Sequence, residues 1–463
     1  MTGLADTAPD GAGTGAGAAG ARGAVAVAPQ SYQQEWMAAA KLQHPNPGWN
    51  VHLFWRFTGR LDPGALLAAL GDVVRRHEVL RTTHAVQDGQ AVQVVHRPRR
   101  PEVGVSDLRR QSATLRATEL DRLVRAQHAL ALDHTRGPLL RGELVRAGDQ
   151  DTYLLVTVDH AVCDGWSSGL LRSELAASYA GAVTGRPVRL PELPLRYRDF
   201  AAAQRAAAAA GEYDHQLDWW AGRLDPGALG LAAAVPGDGS GYTGVRYRLT
   251  VPAAVADRLR RLPTTMFLTL LTALTGVLAQ RTATGDVAVA SMVAGRSRPE
   301  HRRLVGMVAN PVVVRTAVPA GGTFAQLLDR VRAGVVAAGT RQDAPWPLVA
   351  RRAGVGAAEI WLNMAPPPEL ARFPGVAVDT DVLPRDVEID VPAAAWRGEM
   401  LVCTVVDSGP GTDVLATIDY NARQLTATTV AGLAVDIADL LAAAAADVRA
   451  PLPPLGSRPP LTS

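Results

Sequence analysis

The amino-acid sequence predicts a mixed α/β protein made of two lobes, and three observations support this prediction. Amphipathic helical segments and runs of β-branched apolar residues follow one another from about residue 28 onward, without a fixed repeat period. The 463 residues leave room for roughly two to three domains, each with a sizeable core. A proline-rich stretch without periodicity, residues 185–200, predicts the crossing between the lobes.

The first half of the chain contains both helical and strand patterns. Its helices are predicted from apolar residues at helical spacing beside a charged face, and its strands from short runs of apolar, β-branched residues. In chain order, these elements are a helix over residues 64–84, a strand over 91–96, a helix over 115–132, strands over 142–147 and 153–160, and a helix over 169–182.

The second half repeats the mixture. A strongly apolar helix and a buried strand are predicted first, and the next helix begins at a Thr323 cap. In chain order, the elements are a helix over residues 267–283, a strand over 286–295, a helix over 323–342, strands over 401–408 and 413–421, and a helix over 428–447.

The two ends of the chain lack the periodicity of folded elements. Residues 1–27 are rich in Gly, Ala and Thr, which bury too little surface to become ordered, so we expect a flexible tail. Residues 28–185 are assigned to the first lobe and residues 186–455 to the second. The proline-rich residues 456–463 are predicted to form an extended strap or tail.

Composition excludes several classes of protein. The net charge of +3 is small for this length and predicts no basic stripe, so nucleic acid is not an expected partner. No uncharged apolar stretch reaches the roughly 18–20 residues that span a bilayer, and the N-terminus lacks a signal-peptide pattern. Cys163 and Cys403 provide neither metal-ligand spacing nor a disulfide framework. We expect a cytoplasmic protein without a membrane partner or a bound metal.

The most informative segment is YLLVTVDHAVCDGWSS, residues 153–168. Its apolar first half predicts a buried strand that ends at Asp159 and His160, followed by a turn that contains Asp164 and Gly165. A histidine at the end of a buried strand, near a carboxylate and a glycine, is typical of a functional site. Glycine allows a ligand to approach the backbone, and a carboxylate fixes a loop by pairing with a cation. The alternative interpretation is a core histidine beside an ordinary loop.

Several motifs, taken together and in order, give the chain a resemblance to a known family. The segment DHAVCDG resembles the HHxxxDG signature of condensation domains from nonribosomal peptide synthetases. Seven further segments resemble other motifs of that family in the family's order: SYQQEW, RRHEVLRTTH, LDHTRGPLLR, YRDFAAAQ, VAGRSRPEHRRLVGMVANPVVVR, TRQDAPW and ATIDYNARQL. The resemblance covers nearly the whole chain.

The resemblance implies a fold, a reaction and partners. It implies two lobes that each resemble chloramphenicol acetyltransferase, arranged as a V-shaped pseudo-dimer with the active site between them. The implied reaction transfers an acyl group from a thioester to an amine or hydroxyl acceptor, giving an amide or an ester in natural-product biosynthesis. It implies no permanently bound cofactor, because phosphopantetheine-tethered substrates arrive on acyl- or peptidyl-carrier proteins. We expect a stand-alone monomeric acyltransferase with carriers supplied in trans and a small-molecule or tethered acceptor.

The resemblance also implies roles for individual residues. His160 is the catalytic candidate, because acyl transfer requires that the attacking group lose a proton, and imidazole accepts or orients that proton. Asp164 is expected to form a structural ion pair with Arg296 across the lobes, and Gly165 to leave space for the acceptor. Asp159 stands where the family usually has a histidine, and we expect it to support the site by hydrogen-bonding nearby groups or by raising the basicity of His160.

Three further residues are candidate substrate contacts. Trp166 and Ser167 follow the signature, with core packing and helix capping as their alternative roles, and Asn310 falls at the family's tunnel-side asparagine.

The departure at Asp159 leaves alternatives open. Asp159, Asp164 and Ser167 reproduce the D-x-x-x-x-D-x-x-S spacing of heterocyclization domains, which condense and then cyclise the acceptor. A second alternative is a non-catalytic module that binds carrier proteins. A third is a serine hydrolase, because residues 165–169 fit G-x-S-x-G, although that motif requires the strand to lead directly into the serine turn.

Overall fold

The structure is a computed structural model that describes residues 24–43, 50–186, 188–224, 244–356, 358–365, 371–380 and 401–461. The helices and strands of its first half are β1 (Ala24–Pro29), α1 (Tyr32–Gln43), β2 (Asn50–Gly59), α2 (Pro63–Arg76), β3 (Thr82–Gln87), β4 (Gln90–His96), β5 (Glu102–Asp107), α3 (Ala113–His128), β6 (Leu140–Gly148), β7 (Asp151–Asp159), α4 (Gly165–Thr184), α5 (Tyr197–Ala209) and α6 (Asp214–Ala221).

Those of the second half are β8 (Gly244–Val251), α7 (Ala253–Arg260), α8 (Met266–Thr282), β9 (Asp286–Val293), β10 (Asn310–Ala317), α9 (Phe324–Gly339), α10 (Trp346–Ala353), β11 (Ile360–Ala365), β12 (Val376–Asp379), β13 (Leu401–Asp407), β14 (Val414–Asn421) and α11 (Ala427–Ala446). Short 3₁₀ helices lie at Glu78–Arg81, His160–Val162 and Pro299–Arg303.

The first lobe is built on a five-stranded sheet in the order β12-β2-β7-β6-β5, with β7 at its centre. Leu154, Val156 and Val158 of β7 pack in the core formed with α2 and α4, and Tyr153 and Leu155 pack in the core formed with α3. Helices therefore cover both faces of this strand. This double coverage explains why its sequence is an almost unbroken apolar run, as in the strand predicted over residues 153–160.

The second lobe is built on a six-stranded sheet in the order β10-β9-β11-β13-β14-β8. Its larger core lies between one face of the sheet and α7, α8, α9 and α11, and a smaller core with α6 and α10 covers the other face. The predicted cap at Thr323 is confirmed, because its side chain and that of Gln326 form a reciprocal capping box at the start of α9.

Of the helices that the structure describes, α11 is the one that is long and apolar enough, by length and composition, to cross a membrane. Its residues Leu433, Ile437 and Leu441 pack in the larger core of the second lobe. Its buried Asp436 pairs with Arg281 of α8, with 2.5 Å between Oδ2 and Nη2. Packing within the lobe accounts for the apolar composition of this helix.

The N-terminal boundary of the first lobe differs from the prediction. Residues 24–27, which the sequence assigns to the tail, belong to β1, and this strand pairs antiparallel with β4 in a three-stranded sheet. The composition of these residues gives a weak strand signal, and their hydrogen bonds depend on a strand about 65 residues away. Residues 1–23 of the predicted tail lie outside the described part of the chain.

One strand from the second half joins the sheet of the first lobe. The sequence places residues 186–455 in the second lobe, but β12 pairs antiparallel with β2. The buried Phe373 anchors this segment, with its ring centroid 4.9 Å from that of Phe57. At Gly59 (φ 129°) a Cβ would lie 2.7 Å from the Gly375 carbonyl oxygen, so glycine permits this close approach.

The C-terminal segment packs on the second lobe rather than extending from it as a tail. Leu461 is 4% exposed and belongs to the larger core, and Arg458 pairs with Asp436 at 2.9 Å. Of the two predicted alternatives, residues 456–461 therefore correspond to a strap and not to a tail. Residues 462 and 463 lie outside the described part of the chain.

Candidate functional site

The signature segment begins where the central strand of the first lobe ends. Asp159, the last residue of β7, is fully buried and pairs with Asn50 of β2. Its Oδ1 accepts a hydrogen bond of 2.9 Å from the N–H of Ala161, which caps the 3₁₀ helix that starts at His160. This contact makes Asp159 a turn-capping residue and fixes the backbone that carries His160.

His160 lies where the two lobes approach each other. It is partly exposed, and the 3₁₀ helix that it opens contacts α1. The adjacent Ala161 packs in a small buried cluster with Met37 of α1 and Met307 from the loop before β10. Elements from both halves of the chain therefore surround the backbone of His160.

Asp164 is the most heavily hydrogen-bonded carboxylate of the segment. As the N-cap of α4, its Oδ1 accepts hydrogen bonds from the N–H and the hydroxyl of Ser167, at 2.8 and 2.7 Å. Its Oδ2 accepts hydrogen bonds of 3.0 Å from the N–H groups of Val308 and Ala309. One carboxylate thus joins the start of a first-lobe helix to a second-lobe loop.

Arg296 completes this contact and forms the ion pair that the resemblance implied. Its Nη1 lies 2.8 Å from Oδ2 of Asp164 and its Nη2 lies 3.0 Å from Oδ1, and each side chain is 1% exposed. Burial alone would raise the pKa of Asp164, but the charge and hydrogen bonds of Arg296 and the hydrogen bonds from Ser167 outweigh it. The pKa of Asp164 therefore lies below its ordinary value.

Ser167 belongs to the same contact. Its fully buried hydroxyl donates to Asp164 or to the Gly306 carbonyl, and it accepts from the Gly306 N–H at 3.0 Å and from Arg296 at 3.1 Å. We call Asp164, Ser167, Arg296 and Gly306 the interlobe cluster. Because its hydroxyl is enclosed and already hydrogen-bonded, Ser167 has a structural role. It is not placed to act as the substrate contact or the hydrolase nucleophile that the sequence suggested.

Gly165 opens α4 and faces open space. A Cβ placed on it would meet no heavy atom within 4 Å, and its φ lies outside the left-handed region, so neither packing nor backbone geometry requires glycine here. A glycine that the fold does not need is consistent with the predicted space for an acceptor. Its N–H is also one of the first four of the helix, which have no acceptor within the helix itself.

Trp166 presents part of its ring to solvent beside the interlobe cluster. The side chain is 47% exposed, its Nε1 donates to the Arg302 carbonyl at 2.9 Å, and its ring lies 5.8 Å from the Arg296 guanidinium carbon. Of the three predicted substrate contacts, it is the one with accessible apolar surface.

Asn310 is 3% exposed, and both the NH₂ group and the oxygen of its side-chain amide form hydrogen bonds with backbone groups. Its Nδ2 donates to the carbonyls of Gln342 and Ala344, and its Oδ1 accepts from the N–H of Trp346 at 2.9 Å. It fastens the start of β10 to the loop before α10. This is a structural placement, which differs from the tunnel-side contact that the resemblance implied.

Cys163 lies inside the signature but is fully buried, and burial raises the pKa of its thiol. A buried, protonated thiol is a poor nucleophile, so the segment does not act through this cysteine. Within the described ranges, no group of three His, Cys, Asp or Glu side chains is placed to hold a metal ion.

Sequence reasoning missed two residues that shape the interlobe contact. Gly306 has φ 148°, and a Cβ there would lie 2.0 Å from the Tyr197 ring. The buried Tyr197 hydroxyl donates to the Met307 carbonyl at 2.6 Å and bonds Ser31 at 2.8 Å. Tyr197 and Gly306 both lie in segments that carried the family resemblance, which was the available signal.

Comparison with known proteins identifies the family. A family model described as Condensation domain matches residues 26–358. Phosphinothricin tripeptide synthetase PhsB of Streptomyces viridochromogenes is 36% identical over 331 residues, which are 69% of this chain and 28% of that protein. Chondramide synthase cmdD of Chondromyces crocatus is 33% identical over 327 residues, or 69% of this chain and 8% of that protein. The chain thus spans a small part of these relatives.

Solved structures share the fold. The X-domain from teicoplanin biosynthesis has a TM-score of 0.77 at 22% identity, with 92% of this chain and 97% of that chain covered. SgcC5 from Streptomyces globisporus has a TM-score of 0.74 at 22% identity, with 91% and 100% covered. The first condensation domain of the calcium-dependent antibiotic synthetase has a TM-score of 0.75 at 20% identity, with 92% and 99% covered.

Condensation domains have two lobes that resemble chloramphenicol acetyltransferase, so the predicted fold class is confirmed. Because the matching family model covers well over half of the sequence, the chain belongs to the condensation-domain family of nonribosomal peptide synthetases.

Proposed function

We propose that this chain transfers an acyl group from a carrier-bound phosphopantetheine thioester to an amine or hydroxyl acceptor. The observation that carries the proposal is the arrangement of the signature segment. The partly exposed His160 and the open space at Gly165 lie on either side of a loop whose Asp164 is held by Arg296 of the other lobe. The usual activity of the family, amide-bond formation, requires a proton acceptor beside space for two substrates.

In the proposed reaction, the acceptor nitrogen or oxygen is oriented by the His160 imidazole and attacks the thioester carbonyl, which forms a new C–N or C–O bond. The C–S bond then breaks, and the proton lost by the acceptor passes to the departing sulfur, through the imidazole or directly, so that phosphopantetheine leaves as its free thiol. The start of α4 contributes positive partial charge and N–H groups, which favour the negative charge that develops on the carbonyl oxygen. The proposal includes carrier proteins that deliver donor and acceptor in trans to a monomer.

The test is a single-turnover transfer assay in which acylated carrier and candidate acceptors are mixed with the protein, and products are followed by intact-protein mass spectrometry. We expect His160→Ala to slow transfer by about 10²–10⁴-fold if the imidazole accepts the proton, and less if it only orients the acceptor. His215→Ala, an exposed histidine on α6, is the matched control and leaves the rate unchanged. Absence of transfer by the wild-type protein refutes the proposed activity, and transfer at the wild-type rate by His160→Ala refutes the role of His160.

A non-catalytic recruiting module is the second candidate, and two observations favour it. The signature has Asp159 in place of the usual histidine, and the chain shares its fold with the X-domain from teicoplanin biosynthesis, which has been solved in a complex with OxyB. Carrier binding without any transfer, by wild-type protein and His160→Ala alike, supports the module. A product lighter by one water than the condensed product supports the heterocyclization alternative.

A further inference from the structure

A concave, arginine-rich cavity lies on the first lobe, lined by residues that precede the signature segment in the sequence. Its volume is about 350 Å³, and its walls come from α2, the 3₁₀ helix after it, β3, the segment after β4 and the turn before β6. Its charged lining residues are Arg81, Arg97, Arg99, Arg100, Arg136 and Glu102. The lining thus contains five arginines and one acidic residue, and the carboxylate of Glu102 lies 3.2 Å from Arg141 Nε.

None of these five arginines forms an ion pair with a residue of the described ranges. In the neighbouring cavity of about 450 Å³, which Arg81 also lines, Arg75, Arg76 and Arg196 lie within ion-pair distance of carboxylates. Clustered like charges repel one another unless an opposite charge lies between them. The protein supplies little of that opposite charge here.

Arg81 is the deepest of the five. Its Nη1 donates to the His96 carbonyl, but its Nε is buried and has no partner among the described residues. Burial lowers the pKa of Arg81, so its surroundings already disfavour the charge. Arg81 also lines the cavity, so a bound anion would offset the cost of burying its charge.

The floor of the cavity is apolar. Val74, Leu80, Leu139 and Leu140 line it beneath the guanidinium groups. A pocket with this volume, an apolar floor and a few polar groups is typical of a small-molecule site. The arrangement favours a compact ligand with an anionic end over an extended polyanion lying on a convex surface.

We propose that this cavity binds the phosphate group of a small phosphate ester. A phosphate monoester carries about −1.5 to −2 charges and three acceptor oxygens, which matches several guanidinium forks better than a singly charged carboxylate does. Two sources share this chemistry: a phosphopantetheine arm and a nucleotide. The site is separate from the acyl-transfer proposal, and its test does not require turnover.

The test is isothermal titration calorimetry, in which wild-type protein is titrated at a fixed salt concentration with pyrophosphate, with pantetheine 4′-phosphate and with adenosine 3′,5′-bisphosphate. We expect saturable binding, and we expect Arg97→Gln/Arg99→Gln to weaken it by about tenfold or more. Arg60→Gln/Arg110→Gln removes two other exposed arginines of the same lobe that form no ion pair with a described residue, and this matched control leaves affinity unchanged. The ester that binds more tightly identifies the source.

His96 provides a second measurement that localises the ligand. Its pKa is lowered by burial and by the neighbouring Arg99 and Arg81 charges, so an anion bound among them raises the pKa observed by NMR titration. The proposal is overturned if none of the three compounds binds up to about 10 mM. It is also overturned if both double variants weaken binding equally, or if binding leaves the His96 titration unchanged.

Discussion

Replacing Asp164 with asparagine tests whether the interlobe cluster holds the two lobes in register. Asparagine keeps the size of the side chain and remains a good N-cap, so the change isolates the charge and the acceptor atoms. The carboxylate accepts six hydrogen bonds, from Arg296 twice, Ser167 twice, Val308 and Ala309. An amide offers one acceptor oxygen, and its NH₂ group must face some of these donors.

The expected loss of stability is large because the pair is enclosed. Removing one partner of a buried ion pair costs about 3–5 kcal/mol, since the remaining charge stays desolvated, and Arg296 is 1% exposed. The pH dependence has a definite sign. Because the folded pKa of Asp164 is lowered, its stabilisation is complete above the unfolded carboxyl pKa near ~4 and is lost as pH falls through the folded value.

The assay is urea unfolding followed by tryptophan fluorescence, at pH 7 and at steps down to about pH 3. We expect Asp164→Asn to unfold at lower urea at pH 7 and to lose part of the wild-type acid-side slope. The control is Asp121→Asn, which breaks an exposed i,i+4 pair with Arg125 on α3 and is expected to change little. An Asp164→Asn protein as stable as wild type, with an unchanged acid-side slope, refutes the structural role of the cluster.

Three further outcomes follow. Gly165→Val fills open space, so we expect the rate of transfer to fall by about 10²-fold or more while stability is unchanged. Gly169→Val, which is equally open one turn later, is the control and keeps the wild-type rate. Equal effects of the two variants contradict the prediction that the acceptor occupies the space at Gly165. Asp159→Ala removes the side chain that caps the turn at His160, and we expect urea unfolding to show a loss of about 1–2 kcal/mol in the free energy of unfolding. We also expect slower transfer. Asp159→Asn should largely restore both the stability and the rate. Burial lowers the pKa of His52 to about 3 and of His128 to about 4, and the positive charges of His128 and Arg246, respectively, lower them further. The stabilisation from these neutral imidazoles is therefore complete above about pH 6.5 and declines as the pH falls toward 4. We expect His128→Phe to flatten this dependence of unfolding free energy on pH, and an unchanged slope contradicts the argument.

The parts of the fold that could be predicted from sequence are those whose signal is local. The apolar runs of β7 and α8 both reflect burial of nearly every residue of one continuous segment. The strands β1 and β12 could not be predicted in the same way. Each is short, and each is a strand because of hydrogen bonds to a distant partner, β4 in one case and β2 in the other.

The residues of the candidate site likewise divide into those that could be predicted from sequence and those that could not. The Asp164–Arg296 pair was predictable because the family resemblance supplied both positions, which are 132 residues apart. The enclosure of Ser167 and Asn310 was not predictable, because it depends on the carbonyls and N–H groups of loops whose paths no local pattern reveals. Backbone groups carry no side-chain signature, so their part in a site becomes visible only in three dimensions.

The interlobe cluster is better explained by positioning than by stability. A buried ion pair gains little over well-packed apolar residues, because desolvation offsets most of its attraction. An apolar contact, however, tolerates sliding, whereas Asp164 fixes the start of α4 through hydrogen bonds to Val308, Ala309 and Arg296 at 2.8–3.0 Å. Acyl transfer between two separately delivered substrates needs that fixed geometry, because a misplacement of about 1 Å costs about 10²-fold in rate. For the proposed acyl transfer, the ion pair therefore acts by holding the start of α4 in place beside the turn that carries His160.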